Sequence, residues 1–284
     1  MIDGTTVWAI ARQELRDALR NRWFLLYTVA FGGLALALSA LASPGGGLAG
    51  LAGYGRTAAS LVNLVLLFVP LVGLTLGGAN LAGERETGVL AYLLAQPVTR
   101  AEVLLGKYAG LALSILASLT LGFGLAGGYL ALRGQGGNSG GYVLTVLLAW
   151  LLGLAMLGLG MLVSVVVRRT SAAVGTALFL WLLLVFVGDL GIMGTAIITR
   201  LPIAAVFVLA ALNPLQLFKM AAILTIQANL EVLGPAGIFA TEQFGGALLP
   251  VMLAGLAVWI FIPLAGALFA FAGQEHTEPR RRSV

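Results

Sequence analysis

The side chains of this chain that could do chemistry gather in one stretch. Between two long apolar runs lies GERETGVLAYLLAQPVTRAEVLLGKY, residues 83–108, with Glu84, Glu86, Glu102, Arg85, Arg100 and Lys107 in a protein only 10% charged. Nucleotide chemistry would need Gly-x-x-x-x-Gly-Lys-Ser/Thr, whose backbone amides cradle phosphate. Here Gly106-Lys107 is followed by Tyr108, and position 101 is Ala101 rather than glycine. Zinc hydrolysis would need His-Glu-x-x-His, and a nucleophilic serine needs a base within reach. The chain has one histidine, His276, near its C-terminus, and no cysteine. Methionine thioethers could meet Cu(I), but Met156 and Met161 lie about 140° apart on a helix, as packing residues do. The expectation is therefore no catalytic residue, no metal site and no cofactor in this chain. The charged stretch is left to do mechanical work.

The elements that position it are membrane helices. Sixty per cent of the residues are hydrophobic, more than one soluble core could bury. Runs long enough for a hydrocarbon layer needing about 20 residues fall at 23–42, 61–82, 108–132, 142–167, 173–194 and 249–272. With the N-terminus inside, twelve of the sixteen Lys and Arg residues face the cytoplasm, leaving Arg56, Arg133, Arg200 and Lys219 outside. That bias predicts six spans with both termini cytoplasmic. The rival treats LPIAAVFVLAAL, 201–212, as a seventh span; it is short for one. The net charge of +5 is dispersed at membrane edges, where anionic lipid attracts it, so membrane lipid is an expected partner. No basic stripe carries the interleaved aromatics that nucleic acid would need.

Residues 5–22 read as an amphipathic helix, with Trp8, Ala11, Leu15, Ala18 and Leu19 on one arc and Arg12, Arg16 and Arg20 on the next. Such a helix lies along the inner leaflet; the alternative is an ordinary positive flank. In the charged stretch, Thr99-x-x-Glu102 is a capping box that starts a helix entering the third span. Pro97 stops whatever precedes it. A short helix is thus expected over 84–95, its acids at the end that suits the helix dipole and its apolar body following. That combination suits a grip for a soluble partner; the alternative is a solvated loop.

Three further features stand outside that loop. Asp189 is the one acid inside an apolar run, and intramembrane acids are costly; it reads as an interfacial anchor or as a functional pair with Arg200. Residues 195–248 form a long outside segment broken at Asn213-Pro214 and at Gly234-Pro235. Short helices on the outer face are expected there, partly re-entrant, as a platform for a periplasmic partner through Asn213, Pro214, Lys219 and Glu231, or as a lid over a dimer. Six Gly pairs spaced four apart, against about five expected by chance, permit close helix packing where they fall within spans but do not show dimerisation.

The arrangement ERETGVLAYLLAQPVTRAEVLLGKYAG resembles the first intracellular loop of type-2 ABC exporter permeases, and the N-terminal helix and six spans fit the same family across nearly the whole chain. The resemblance implies an all-α permease domain over 1–284 in the bacterial inner membrane, a homodimer, and a separate cytoplasmic ABC ATPase that carries ATP and Mg. It implies that the loop is a coupling helix, with Glu84, Arg85, Glu86, Thr87 and Gly88 at its start, Pro97 and Thr99 at the turn, and Arg100, Glu102, Gly106 and Lys107 at the re-entry. Two segments, IARQELRDALRNRW and LNPLQLF, are similar to the narrower group serving nitrous oxide reductase maturation. That group implies a periplasmic copper-handling β-helix protein as a further partner. The alternatives are an exporter of lipid, peptide or drug, and an ATPase-independent channel or carrier.

Overall fold

The computed structural model describes residues 3–41, 49–133, 139–188, 202–227 and 235–274. Among them the chain is helical throughout: α1 Gly4–Arg20, α2 Arg22–Leu41, α3 Ala49–Thr87, α4 Val89–Leu94, α5 Arg100–Leu132, α6 Ser139–Val166, α7 Thr170–Phe186, α8 Ile203–Ala211, α9 Pro214–Gln227, α10 Pro235–Phe244 and α11 Leu248–Gly273, with a 3₁₀ turn at Gly245–Ala247. Five stretches are long and apolar enough to cross a membrane: Arg22–Leu41, Ser60–Thr87, Arg100–Leu132, Gly140–Val166 and Phe239–Gly273. They coincide with five of the six expected spans. The remaining one, 173–194, is represented by α7, 17 residues long; Asp189 and the rest of that run lie outside the described residues.

Helices α3 and α6 form the centre, with 61% of each apolar window buried, against 33% for α2 and 28% for the stretch ending in α11. Their crossing is made of glycine. A Cβ on Gly77 would stand 2.6 Å from the Leu157 carbonyl oxygen, and one on Gly160 would stand 2.6 Å from that of Leu74. Lipid tails are as apolar as leucine, so close packing rather than water exclusion must hold spans together. The polar ends of the large aromatics are used as clips. Trp150 Nε1 donates to the Ala112 carbonyl at 3.0 Å, Tyr108 Oη to Leu154 at 3.0 Å and Tyr142 Oη to Phe123 at 2.7 Å. All three tie α5 to α6, satisfying groups that would be costly to leave bare in hydrocarbon.

The described part of the segment expected outside, 202–227 and 235–248, is broken and partly packed into the bundle, as partly re-entrant helices would be. Helices α8 and α9 are bent by 105° across a short break, and Leu215, Leu217, Phe218, Met220, Ala221 and Ala222 of α9 are buried. Leu217 fills the space beside Gly255 of α11, and the Thr145 and Thr225 hydroxyls of α6 and α9 meet at 3.4 Å. Helix α9 is a wedge between α6 and α11. The bend also disposes of a straight seventh span over 201–212.

Replacing Gly77 or Gly160 with alanine forces a methyl group onto a facing backbone that cannot rotate away. We expect a loss of about 1–3 kcal/mol, seen as a lowered unfolding temperature in detergent, whereas Gly124→Ala, where a Cβ would meet nothing, leaves it within about 1 kcal/mol.

Candidate functional site: the charged loop and its anchors

Helix α3 does not stop where the apolar run stops. It carries Glu84, Arg85, Glu86 and Thr87 as its last turn and breaks at Gly88, whose φ of 78° is left-handed. Only glycine adopts that conformation without strain. The short helix expected over 84–95 is therefore two pieces: the end of α3 and the six-residue α4, Val89–Leu94. Pro97 follows in the turn, and α5 starts with the capping box in full. Thr99 Oγ1 accepts from Glu102 N at 3.3 Å, while Glu102 Oε2 accepts from Thr99 N at 2.7 Å.

The same carboxylate does a second task that its sequence position does not suggest. Glu102 Oε1 accepts from the backbone N–H of Asp3 at 2.7 Å, pinning the start of α1 to the start of α5. Asp3 in turn caps α1, its carboxylate accepting from Thr5 N, Thr5 Oγ1 and Thr6 Oγ1. Those hydrogen bonds, that of the Thr5 hydroxyl foremost, hold the Asp3 carboxyl below its usual range. One glycine pair then brings α1 flush against α5. A Cβ on Gly106 would lie 2.7 Å from Ile10 Cβ, and one on Gly110 would lie 2.5 Å from the Ala11 carbonyl oxygen. Ala11 and Ala18 are buried on this face, so the arc that grouped them with Trp8 and Leu19 is split. Trp8 and Leu19 are 62% and 40% exposed.

Close approach of α1 brings Glu14 over Lys107. The Lys107 side chain is 2% exposed, and its Nζ donates to Glu14 Oε2 at 2.7 Å and to Glu84 Oε1. Asn80 Nδ2 adds a bond to Glu14 Oε1 at 2.6 Å. Three helices, α1, α3 and α5, thus meet on one ammonium. Arg85, the next residue, points elsewhere: Nη2 donates to Gln274 Oε1 at 3.1 Å and Nη1 to the Val165 carbonyl at 3.5 Å, with Gln274 Nε2 on that same carbonyl at 3.0 Å. Glu86 takes a third direction and accepts from Thr170 Oγ1 at the start of α7. Arg100 closes the ring, its guanidinium 5.3 Å from the Phe271 ring centroid and Nη1 on the Phe271 carbonyl at 3.4 Å.

Glu84, Arg85, Glu86 and Arg100 each have a partner within the chain, while Glu86 and Thr87 are also exposed. What α4 presents outward is apolar: Val89 is 45% and Tyr92 73% exposed, one helical turn apart, while Leu90 is buried at 5%. Tyr92 was inside the quoted motif, yet its chemistry gave no reason to single it out. Glu14 was missed because its partner lies 93 residues away, and Thr170 and Gln274 for the same reason.

A loop of this kind, in a bundle of long apolar helices, has a known setting. Residues 8–275 match the ABC-2 family transporter proteins. The chain belongs to that family. This ABC-2 transporter chain is 39% identical over 130 residues to the probable ABC transporter permease protein NosY of Stutzerimonas stutzeri, covering 46% of this chain and 47% of the relative. It is 38% identical over 120 residues to the NosY of Pseudomonas aeruginosa, covering 42% and 44%. The matched region spans under half the length of either relative. ABC-2 membership and the apolar helices together make this a multi-pass membrane protein of a transporter family.

At the other end of the permease, the residues expected to meet a periplasmic protein are mostly turned inward. Asn213 is 5% exposed. Its Nδ2 donates to the Leu184 carbonyl at the end of α7 at 2.7 Å, and its Oδ1 accepts from Leu215 N at 2.9 Å, capping α9. Pro214 is buried in the first turn of α9, Lys219 is half-buried, and Glu231 lies outside the described residues. Beside them a cavity of about 180 Å³ is lined by Asn63, Leu66, Leu67, Leu184, Val185, Leu215 and Gln216.

Lys107→Met should strand two facing carboxylates and cost on the order of 3 kcal/mol. The neutral triple Glu14→Gln/Glu84→Gln/Lys107→Met should recover most of that loss, because no buried charge remains. Thermal unfolding of the three proteins side by side checks both expectations.

Proposed function

We infer that this chain is the membrane subunit of an ABC complex in the bacterial inner membrane, a homodimer that receives motion from a separate cytoplasmic ATPase through the loop 83–99. The observation that carries the reading is the division of labour within that loop. Val89 and Tyr92 face outward on α4, while Glu84, Arg85 and Glu86 reach from one helical turn to α5 with α1, to α6 with the end of α11, and to α7. An apolar knob against a soluble partner and a charged root in three parts of the bundle is what transmission of a push requires. ATP and Mg belong to the partner, and this chain contributes no nucleotide contact.

The destination of the motion is read from the relatives. Similarity to two proteins called NosY supports a role in maturing the copper site of nitrous oxide reductase. In that role the far end of the bundle would act on a periplasmic copper-handling β-helix protein, and no solute need cross. On this reading the α8–α9 pair would carry that action. It reaches α7 through Asn213 and α6 through Thr225, so displacement of the central helices would be delivered to it.

Co-purification with the ATPase encoded nearest to the chain tests the docking claim. Tyr92→Ala with Val89→Ser should weaken ATPase binding about 30-fold, as loss of an interface anchor worth about 2 kcal/mol does. Arg85→Ala should leave binding within about threefold while lowering the change in ATP hydrolysis that the permease imposes. If both variants bind and couple like the unmodified chain, docking is not on this loop.

A further inference from the structure

Helix α1 precedes α2 in the chain, and 62 residues lie between Arg20 and Gly83. It meets the loop region at its N-terminal end, through the Asp3–Glu102 bond and through Ile10, which packs against the cluster that holds Leu90. Half-way along α1, a single cation joins it to the root of the loop. Lys107 of α5 is 2% exposed and holds Glu14 of α1 and Glu84 of α3, whose side chains are 14% and 24% exposed. Asn80, one turn before Glu84 on α3, holds the other oxygen of Glu14 at 2.6 Å. The carboxylate of Glu14 is thus gripped from α3 and α5 at once. The glycines at 106 and 110 and the Asp3–Glu102 bond keep α1 from sliding along α5.

We propose that Glu14, Lys107 and Glu84 form a transmission clamp, with Lys107 as its positioning residue, through which displacement of the 83–99 loop drives α1 together with α3 and α5. The proposal rests on the functional reading above, in which that loop is the part an ATPase moves. Its chemistry is the short range and high directionality of charge-assisted bonds in a place from which water is largely excluded. An ammonium shared by two carboxylates resists separation of any of the three helices, because each separation leaves an uncompensated charge. The clamp also gives the exposed face of α1, with Trp8, Arg12, Arg16 and Leu19, a reason to respond to nucleotide although it touches no part of the loop's outer surface.

The experiment uses the full chain with its ATPase in lipid nanodiscs. Because the protein has no cysteine, single labels are unambiguous: Gln96→Cys reports on the loop and Gln13→Cys on α1, each carrying an environment-sensitive fluorophore. In the otherwise unmodified chain both labels should change signal when ATP is bound. In the neutral triple Glu14→Gln/Glu84→Gln/Lys107→Met the Gln96 response should persist and the Gln13 response should fall about fivefold or more, the lower end of an ordinary coupling between sites. A melting curve close to that of the unmodified chain, with the affinity for the ATPase retained, separates this from a folding defect. If the triple is unstable, Glu14→Gln alone gives the same comparison with a smaller fall. A Gln13 response that survives in the triple, or that is missing from the start while Gln96 responds, overturns the clamp and leaves the docking claim standing. Absence of any Gln96 response with the ATPase bound overturns the functional reading, and the clamp with it.

Discussion

A buried ammonium cannot be left to itself in a membrane protein, and the loop end of this bundle is organised around that constraint. Taking the charge of Lys107 out of water is costly, and the cost is offset only if opposite charge meets it with good geometry. Helix α5 carries no carboxylate near enough on its own face, so the partners come from α1 and α3. Meeting that demand dictates how close α1 must lie, and closeness in turn demands Gly106 and Gly110, where any side chain would strike α1 itself. Charge, glycine and helix position are therefore one requirement stated three ways.

The turn that supplies Glu84 shows how a helix can distribute force. Successive residues project about 100° apart, so Glu84, Arg85 and Glu86 cannot share a neighbour. They reach the α1–α5 pair, the ends of α6 and α11, and the start of α7 in that order. Gly88 then breaks the helix, and the chain turns an apolar face outward through Val89 and Tyr92. This inverts the usual expectation that a charged loop offers its charges to solvent or to a partner. Here the charges hold the permease to itself and the apolar residues are left for something else to cover.

At the far end the same economy operates with neutral groups. Asn213 adds a second donor to the Leu184 carbonyl of α7 and caps the Leu215 amide of α9 with its two ends, so one side chain serves backbone groups on both sides of the 105° bend. Helix α9 is wedged between α6 and α11. It also brings the region after α7 into contact with α6 and with α3, the helix that leads into the loop.

Much of this was legible from residue types alone. Apolar run length determined five of the spans, because hydrocarbon thickness fixes the number of residues needed. The Thr99–Glu102 capping box and the stop before Pro97 were equally local, since each concerns groups within one turn. Sequence could not supply the partners of Glu84, Arg85 and Glu86, because a charge next to an apolar run looks the same whether it faces water or a helix from elsewhere in the chain. Nor could it separate Asn213 as cap from Asn213 as contact, or the glycines of the α3–α6 crossing from a chance spacing. Those depend on which backbones lie within a few ångströms of each other, a property of packing between residues 23 to 189 apart in the chain that no local pattern encodes.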